Sequence, residues 1–323
     1  METWVPTAIW GFLACLVAGS VYGWLRVLLR VQHGVDVLDW NERRPVPWGL
    51  VYVAVCFVLL VICETGALQM LDLGEDAFKL EDLTREKQTA ALLGMAGGRL
   101  MATLLGLFTI HVLTHARSHD TGATLARAGY DIWLGAKAFV LFAAPIYLLQ
   151  YLLSTIWPEA AHPLVDLVRE APDGGLYGAV FLTAVVAAPV AEEFLLRGVF
   201  QGWLEKLAVW NGPTSDLLVS GTIDWAPRDK GWSEAKQARP LDSRPPWWPV
   251  IVSSGLFAIM HIQNKPSPDP IALFFFALGL GFLYQRTHRL LPCVVMHLLL
   301  NLSSMLILGL SIWRPELLPI SVP

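Results

Sequence analysis

Apolar residues run in long uninterrupted stretches along this chain, instead of at the alternating or 3.6-residue spacing of a soluble fold. Eight such stretches stand out, at about 7–29, 48–71, 89–114, 132–156, 178–206, 249–262, 271–286 and 290–311. Stretches of about 18 or more apolar residues are long enough to cross a bilayer as helices. The pattern predicts an all-α polytopic membrane protein with about eight transmembrane helices enclosing an intramembrane cavity. The sixth and seventh stretches are short for a full span, which predicts that one or both are broken or re-entrant and enclosed by neighbours. Trp10, Trp24, Trp48, Trp133, Trp157, Trp203, Trp248 and Trp313 fall near segment ends, as an interfacial aromatic belt requires. The start, METWVPTAIWGFLACLVAG, lacks the basic region of a cleaved signal peptide and reads as a retained first helix.

Two polar stretches interrupt this pattern. Residues 72–88 are densely charged and predict a short surface helix. Residues 207–248 form a polar loop rich in proline and tryptophan, in which Trp225 and Trp232 lie on the membrane surface or in a plain linker. The chain divides into an N-terminal part, 1–174, holding the first four helices, and a C-terminal helical core, 175–311.

Composition agrees with the pattern. The chain is 55% hydrophobic and 15% charged, against about 25% charged in soluble domains, and its mean hydropathy is +0.52. The net charge is −4 and no basic run is present, so a nucleic-acid partner is not expected. Cys15, Cys56, Cys63 and Cys293 all lie in apolar segments, none spaced as a zinc cluster. Fourteen basic residues (Arg26, Arg30, Arg43, Arg44, Arg117, Arg127, Lys206, Arg228, Lys230, Lys236, Arg239, Arg244, Arg286 and Arg289) fall in one set of loops and six in the other. The positive-inside rule then predicts both termini outside and the 207–248 loop in the cytoplasm of a cell that carries the protein in its plasma membrane.

Ionisable residues inside the apolar segments are the informative ones, because each costs at least about 2.5–3.5 kcal/mol at membrane depth. Glu64 on the second helix and Arg99 on the third lie about 12 and about 15 Å from the same side. They predict a structural ion pair beside the small-residue run GMAGG, which lets helices approach closely. Lys137 lies near a helix end and can snorkel.

A second set spans three helices. Glu192, Glu193 and Arg197 lie on the fifth, His261 ends the sixth with Phe257 four residues before it, and His297 and Asn301 lie on the eighth. Glu192, His261, His297 and Asn301 share a depth of about 10–20 Å, which points them to one cavity. Glu193 and Arg197 are spaced i, i+4 in the favourable order and read as a structural clamp. That leaves Glu192 as the free carboxylate. A carboxylate and a histidine in a low-dielectric cavity can activate water. A second histidine and an asparagine on one helix face can donate to an oxyanion. The same residues admit other readings. Glu192, His261 and His297 could ligate zinc, and intramembrane acids and histidines also serve non-catalytic transporters, scaffolds or immunity factors. Sequences diagnostic of other intramembrane proteases (H-E-x-x-H, G-x-S-G, G-x-G-D) are absent.

The three segments EEFLLR, FAIMH and HLLLN, in that order on apolar helices, resemble the CAAX prenyl protease and bacteriocin-processing (CPBP, Abi-type) family of intramembrane glutamic endopeptidases. The stretch ALGLGFLYQRTHRLLPCVVMH before the last motif is also similar to that family. The resemblance covers about residues 175–310 and implies a hydrolase that needs no metal. It makes Glu192 and His261 the water-activating pair, His297 and Asn301 the oxyanion hole, and Glu193, Arg197 and Phe257 supporting residues. Its implied substrate is a membrane-associated peptide cut near its C-terminus, prenylated in the eukaryotic members, with bacteriocin maturation in others. The long polar stretch between the first two motifs departs from the family pattern.

Overall fold

The computed structural model describes residues 4–71, 73, 80–157, 163–170, 172–219, 245–262 and 268–317. Among these residues the regular secondary structure is all helical, without strands. Eleven helices are numbered here: α1 Trp4–Gln32, α2 Leu50–Met70, α3 Arg85–Thr114, α4 Ser118–Thr121, α5 Ala128–Ile156, α6 Pro163–Glu170, α7 Gly174–Val209, α8 Thr214–Leu218, α9 Trp248–Met260, α10 Asp269–Thr287 and α11 Leu290–Trp313. Seven of them, α1, α2, α3, α5, α7, α10 and α11, are long and apolar enough to cross a membrane. The shorter apolar α9 is an eighth membrane-depth segment.

The sequence-based spans coincide closely with these helices. As expected, α9 is short, at 13 residues. The seventh segment is not short: α10 runs for 19 residues, because Asp269 and Pro270 open it and Thr287 extends it. The surface helix expected at 72–88 is not observed in the residues that are described. Leu80–Asp82 form a single 3-10 turn, and Arg85–Gln88 already belong to the membrane helix α3. Residues 72 and 74–79, and Trp225 and Trp232, lie outside the described residues.

Two prolines inside helices set how neighbours dock. Pro145 in α5 has no N–H, so the carbonyl of Leu141 four residues earlier loses its helical donor. Ser20 Oγ and Trp24 Nε1 of α1 donate to that carbonyl at 2.8 and 2.9 Å. The same logic operates in α7, where Leu182–Ala187 and Phe194–Gln201 adopt π-helical geometry on either side of Ala188–Glu193. Ala188 N–H bonds to Thr183 O, five residues back. In that register Pro189 would have served Ala184 O, and Asn301 Nδ2 of α11 donates to it instead at 2.8 Å. π-Helical turns of this kind often accompany functional sites.

Small residues fix the closest helix approach. A side chain at Gly98 of α3 would come within 2.8 Å of Cys63 O and 2.9 Å of Glu64 Cα on α2, so glycine is required where these helices meet. One hydrophobic cluster links both parts of the chain, from Val53 and Ile110 through Phe139 and Phe194 to Phe276, Met296 and Leu300.

Polar clusters close one end of the bundle. Arg43, before α2, reaches Glu205 Oε2 at 3.1 Å, Tyr284 Oη at 2.7 Å and the carbonyl of Asp120 at 3.0 Å. His288 Nε2 lies 3.1 Å from the same Glu205 oxygen, and Gln201 Nε2 donates to Glu205 Oε1 at 3.0 Å. Arg44 grips Asp120 through two bonds of 3.0 Å, and Arg289 holds Asp131. Lys206 Nζ donates to Trp48 O at 3.0 Å and Arg286 pairs with Asp36 at 3.4 Å, so Arg43, Arg44, Lys206, Arg286 and Arg289, all on the basic side of the sequence, are tied into the structure. Trp48 corrects the aromatic-belt expectation. It is fully buried and donates Nε1–H to Val199 O, because the segment before α2 tucks in against α7 instead of lying at the interface.

Candidate active site

Residues of α7, α9 and α11 meet in the interior. Glu193 and Arg197 form the i, i+4 pair expected from their spacing, at 3.1 Å and fully buried. Arg197 is held further by Ser253 of α9. Its Nη1 donates to Ser253 Oγ at 2.9 Å, and that hydroxyl donates to Leu196 O at 3.1 Å. The guanidinium also lies over the Phe257 ring, 5.5 Å from its centroid. Ser253 was not legible as a site residue, since a lone serine in an apolar helix carries no motif.

His297 lies against Glu193, with Nδ1 2.9 Å from Oε1. Glu193 is ion-paired to Arg197 and can only accept, so the ring proton facing it sits on Nδ1. This leaves Nε2 as the working nitrogen, in the manner of a carboxylate–histidine pair. Edge contacts with Phe257 and Phe276, each at 5.6 Å, fix the ring. Asn301 is one turn further along α11. One of its amide hydrogens goes to Ala184 O, and the amide carries a second.

Glu192 faces elsewhere on α7. Its Oε2 is 3.9 Å from His261 Nε2, and it has no hydrogen-bond partner among the described residues although it is buried. His261 follows the last turn of α9, and its Nδ1 is 2.7 Å from Phe257 O. A carbonyl only accepts, so His261 donates from Nδ1, and its Nε2 faces Glu192 as a lone pair when the ring is neutral. Phe257 stacks on the His261 ring at 4.6 Å. With the ring neutral, two acceptors face each other across a gap of 3.9 Å, too wide for a direct bond.

The structure adds a residue that spacing did not place here. Arg99 of α3 pairs with Glu64 of α2 at 2.5 Å, as expected, and its Nη1 lies 3.8 Å from Glu192 Oε1. The signal available in the sequence was depth alone, which matched Arg99 to Glu64 and gave no rotation about the bundle. Glu192, His261, His297 and Asn301 thus divide into a Glu192–His261 pair and a His297–Asn301 face. Glu193 links His297 to Arg197. Among the described residues no three His, Cys, Asp or Glu groups come together as ligands for a metal ion.

These features define a polytopic helical membrane protein with a buried carboxylate–histidine site between helices. Residues 231–303 match the family of Rce1-like type II CAAX prenyl endopeptidases. That segment holds the second and third motifs, FAIMH and HLLLN, and stops short of EEFLLR. It agrees with the resemblance carried by all three motifs and supports a membrane-embedded peptidase of the CAAX type. No curated protein and no solved structure matches the chain.

Proposed function

We propose that the chain is an intramembrane glutamic endopeptidase that needs no metal and hydrolyses a peptide bond near the C-terminus of a membrane-associated, prenylated peptide. The observation that carries this reading is the 3.9 Å gap between Glu192 Oε2 and His261 Nε2, which are both acceptors when the ring is neutral. One water can donate a hydrogen to each, which leaves its oxygen lone pairs free to attack a carbonyl carbon. Glu192 then takes the proton as general base. His297, protonated, donates Nδ1–H to Glu193 and Nε2–H to the oxyanion, with the second N–H of Asn301 beside it. Collapse breaks the C–N bond, and the proton on Glu192 passes to the leaving amine. The fixed charges of Glu193 and Arg197 need not reorganise during the reaction.

The reading extends to topology. The face on which Arg43, Arg44, Lys206, Arg286 and Arg289 gather is the cytoplasmic one, both termini lie outside, and the site opens to the cytoplasm of the plasma membrane. Processing of an unprenylated, bacteriocin-like peptide would use the same residues.

The test is cleavage of a fluorogenic farnesylated peptide by the full chain in liposomes, comparing wild type, Glu192→Gln and Glu193→Gln, with and without chelator. Glu192→Gln is expected to lower turnover by about 10²–10⁴-fold, while chelator changes nothing. Equal cleavage by all three proteins would sink the glutamic reading. Loss in chelator that zinc restores would replace it with a metal-dependent one. An unreactive farnesylated peptide beside a cleaved unprenylated one would reassign the substrate.

A further inference from the structure

Arg99 touches two carboxylates from two different helices, and only one of them belongs to its structural pair. Its Nε edge meets Glu64 Oε1 at 2.5 Å, and Nη1 faces Glu192 Oε1 at 3.8 Å. Neutralising Glu64 at membrane depth requires only the first contact. The second places a cation beside the carboxylate on which the proposed chemistry rests. A guanidinium is planar and presents separate edges, so it can hold two carboxylates apart in a way an ammonium cannot. Glu192 is bracketed as a result. Oε1 is turned to Arg99, and Oε2 is turned to His261 Nε2 at 3.9 Å and left without a hydrogen-bond donor among the described residues.

Helix packing sets this up. Gly98 lets α3 lie against the backbone of Cys63 and Glu64, where a side chain would collide at 2.8 Å. Glu64 in turn anchors the Nε edge of Arg99, which leaves Nη1 aimed across to α7. The partner of the catalytic carboxylate thus comes from a helix that carries none of the three motifs.

We infer that Arg99 is a positioning residue for Glu192. It fixes the orientation of that carboxylate, with Oε1 turned to the guanidinium and Oε2 presented to the water-binding gap. This inference rests on the hydrolase reading, and its test separates the two. Misplacing a reacting group by about 1 Å can cost about 10²-fold in rate. In the liposome assay Arg99→Met should therefore lower kcat by about 10- to 100-fold with KM within about twofold. Arg99→Lys, whose ammonium cannot face both carboxylates, should recover only part of the loss, and Glu64→Gln, whose amide Oε1 still accepts from Arg99 Nε, should keep kcat within about threefold of wild type. A wild-type kcat in folded Arg99→Met would overturn the inference. So would parallel losses in Arg99→Met and Glu64→Gln that track only the amount of folded protein. If wild type cleaves and Glu192→Gln does not, these outcomes bear on Arg99 alone. A readout without turnover covers the case in which no peptide is cut. The infrared carboxylate stretch lost in Glu192→Gln should shift in Arg99→Met and stay in place in Glu64→Gln. An unchanged band in Arg99→Met would refute the inference.

Discussion

Glu193 lies fully buried between Arg197 and His297, so removing its cation leaves a carboxylate in the bundle interior with one histidine for company. Breaking a buried ion pair from one side typically costs about 3–5 kcal/mol. Arg197→Ala is therefore expected to lower both the thermal midpoint in detergent and the amount of protein in the membrane. A wild-type midpoint would refute the clamp role. Glu192→Gln should behave oppositely, with turnover lost and the midpoint kept, since it removes a charge whose Oε2 has no hydrogen-bond partner among the described residues. The spacing of EEFLLR already separated these two glutamates, because only Glu193 is four residues before Arg197. It did not show that His297 joins Glu193, since a contact across 104 positions of chain depends on how α11 is rotated against α7.

At the scale of elements, prolines and their orphaned carbonyls decide which helices touch. Pro189 removes a donor from α7, the π-helical register assigns the vacancy to Ala184 O, and Asn301 fills it from α11. Asn301 thus joins two helices as well as standing beside the proposed oxyanion site. Asn301→Leu should cost about 1–3 kcal/mol by stranding a buried carbonyl. Pro189→Ala returns an N–H to the helix, so the double variant should lose less than the sum of the single ones, with a coupling of about 1 kcal/mol. Additive midpoints in thermal denaturation would refute this account. Trp24 and Ser20 do the same for Leu141 O below Pro145. Each proline was visible in the sequence, but the helix that would answer it was not.

For the molecule as a whole, the polar clusters at one end hold the segment before α2 to the ends of α7 and α10. Asp120 is the anchor that links this end to the loop after α3. Burial by itself would raise its carboxyl, but the two Arg44 hydrogen bonds and the Arg117 N–H outweigh it and hold it below its ordinary 3.8. The unfolded chain therefore takes up this proton at higher pH than the folded one. The stabilisation is present above about 3.8 and is lost as pH falls through the lower folded value. Thermal midpoints should fall with acidification in that window, and Asp120→Asn should flatten the fall. An identical pH profile in the variant would show that other groups govern it.

Run lengths along the sequence determined the number, order and approximate ends of the membrane helices, because a bilayer demands continuous apolar helix. Helical spacing within one segment determined the Glu193–Arg197 pair, because residues four apart share a face whatever surrounds them. Depth alone matched Glu64 to Arg99 across two helices. Only the tertiary structure decided the rotation of each helix about its axis. That rotation turned His297 to Glu193, set His261 across from Glu192 and brought Arg99 to a second carboxylate, while the fold of the segment before α2 buried Trp48. Rotation follows from glycines such as Gly98 and from prolines that must be answered by a neighbour, and a neighbour has no address in a linear chain.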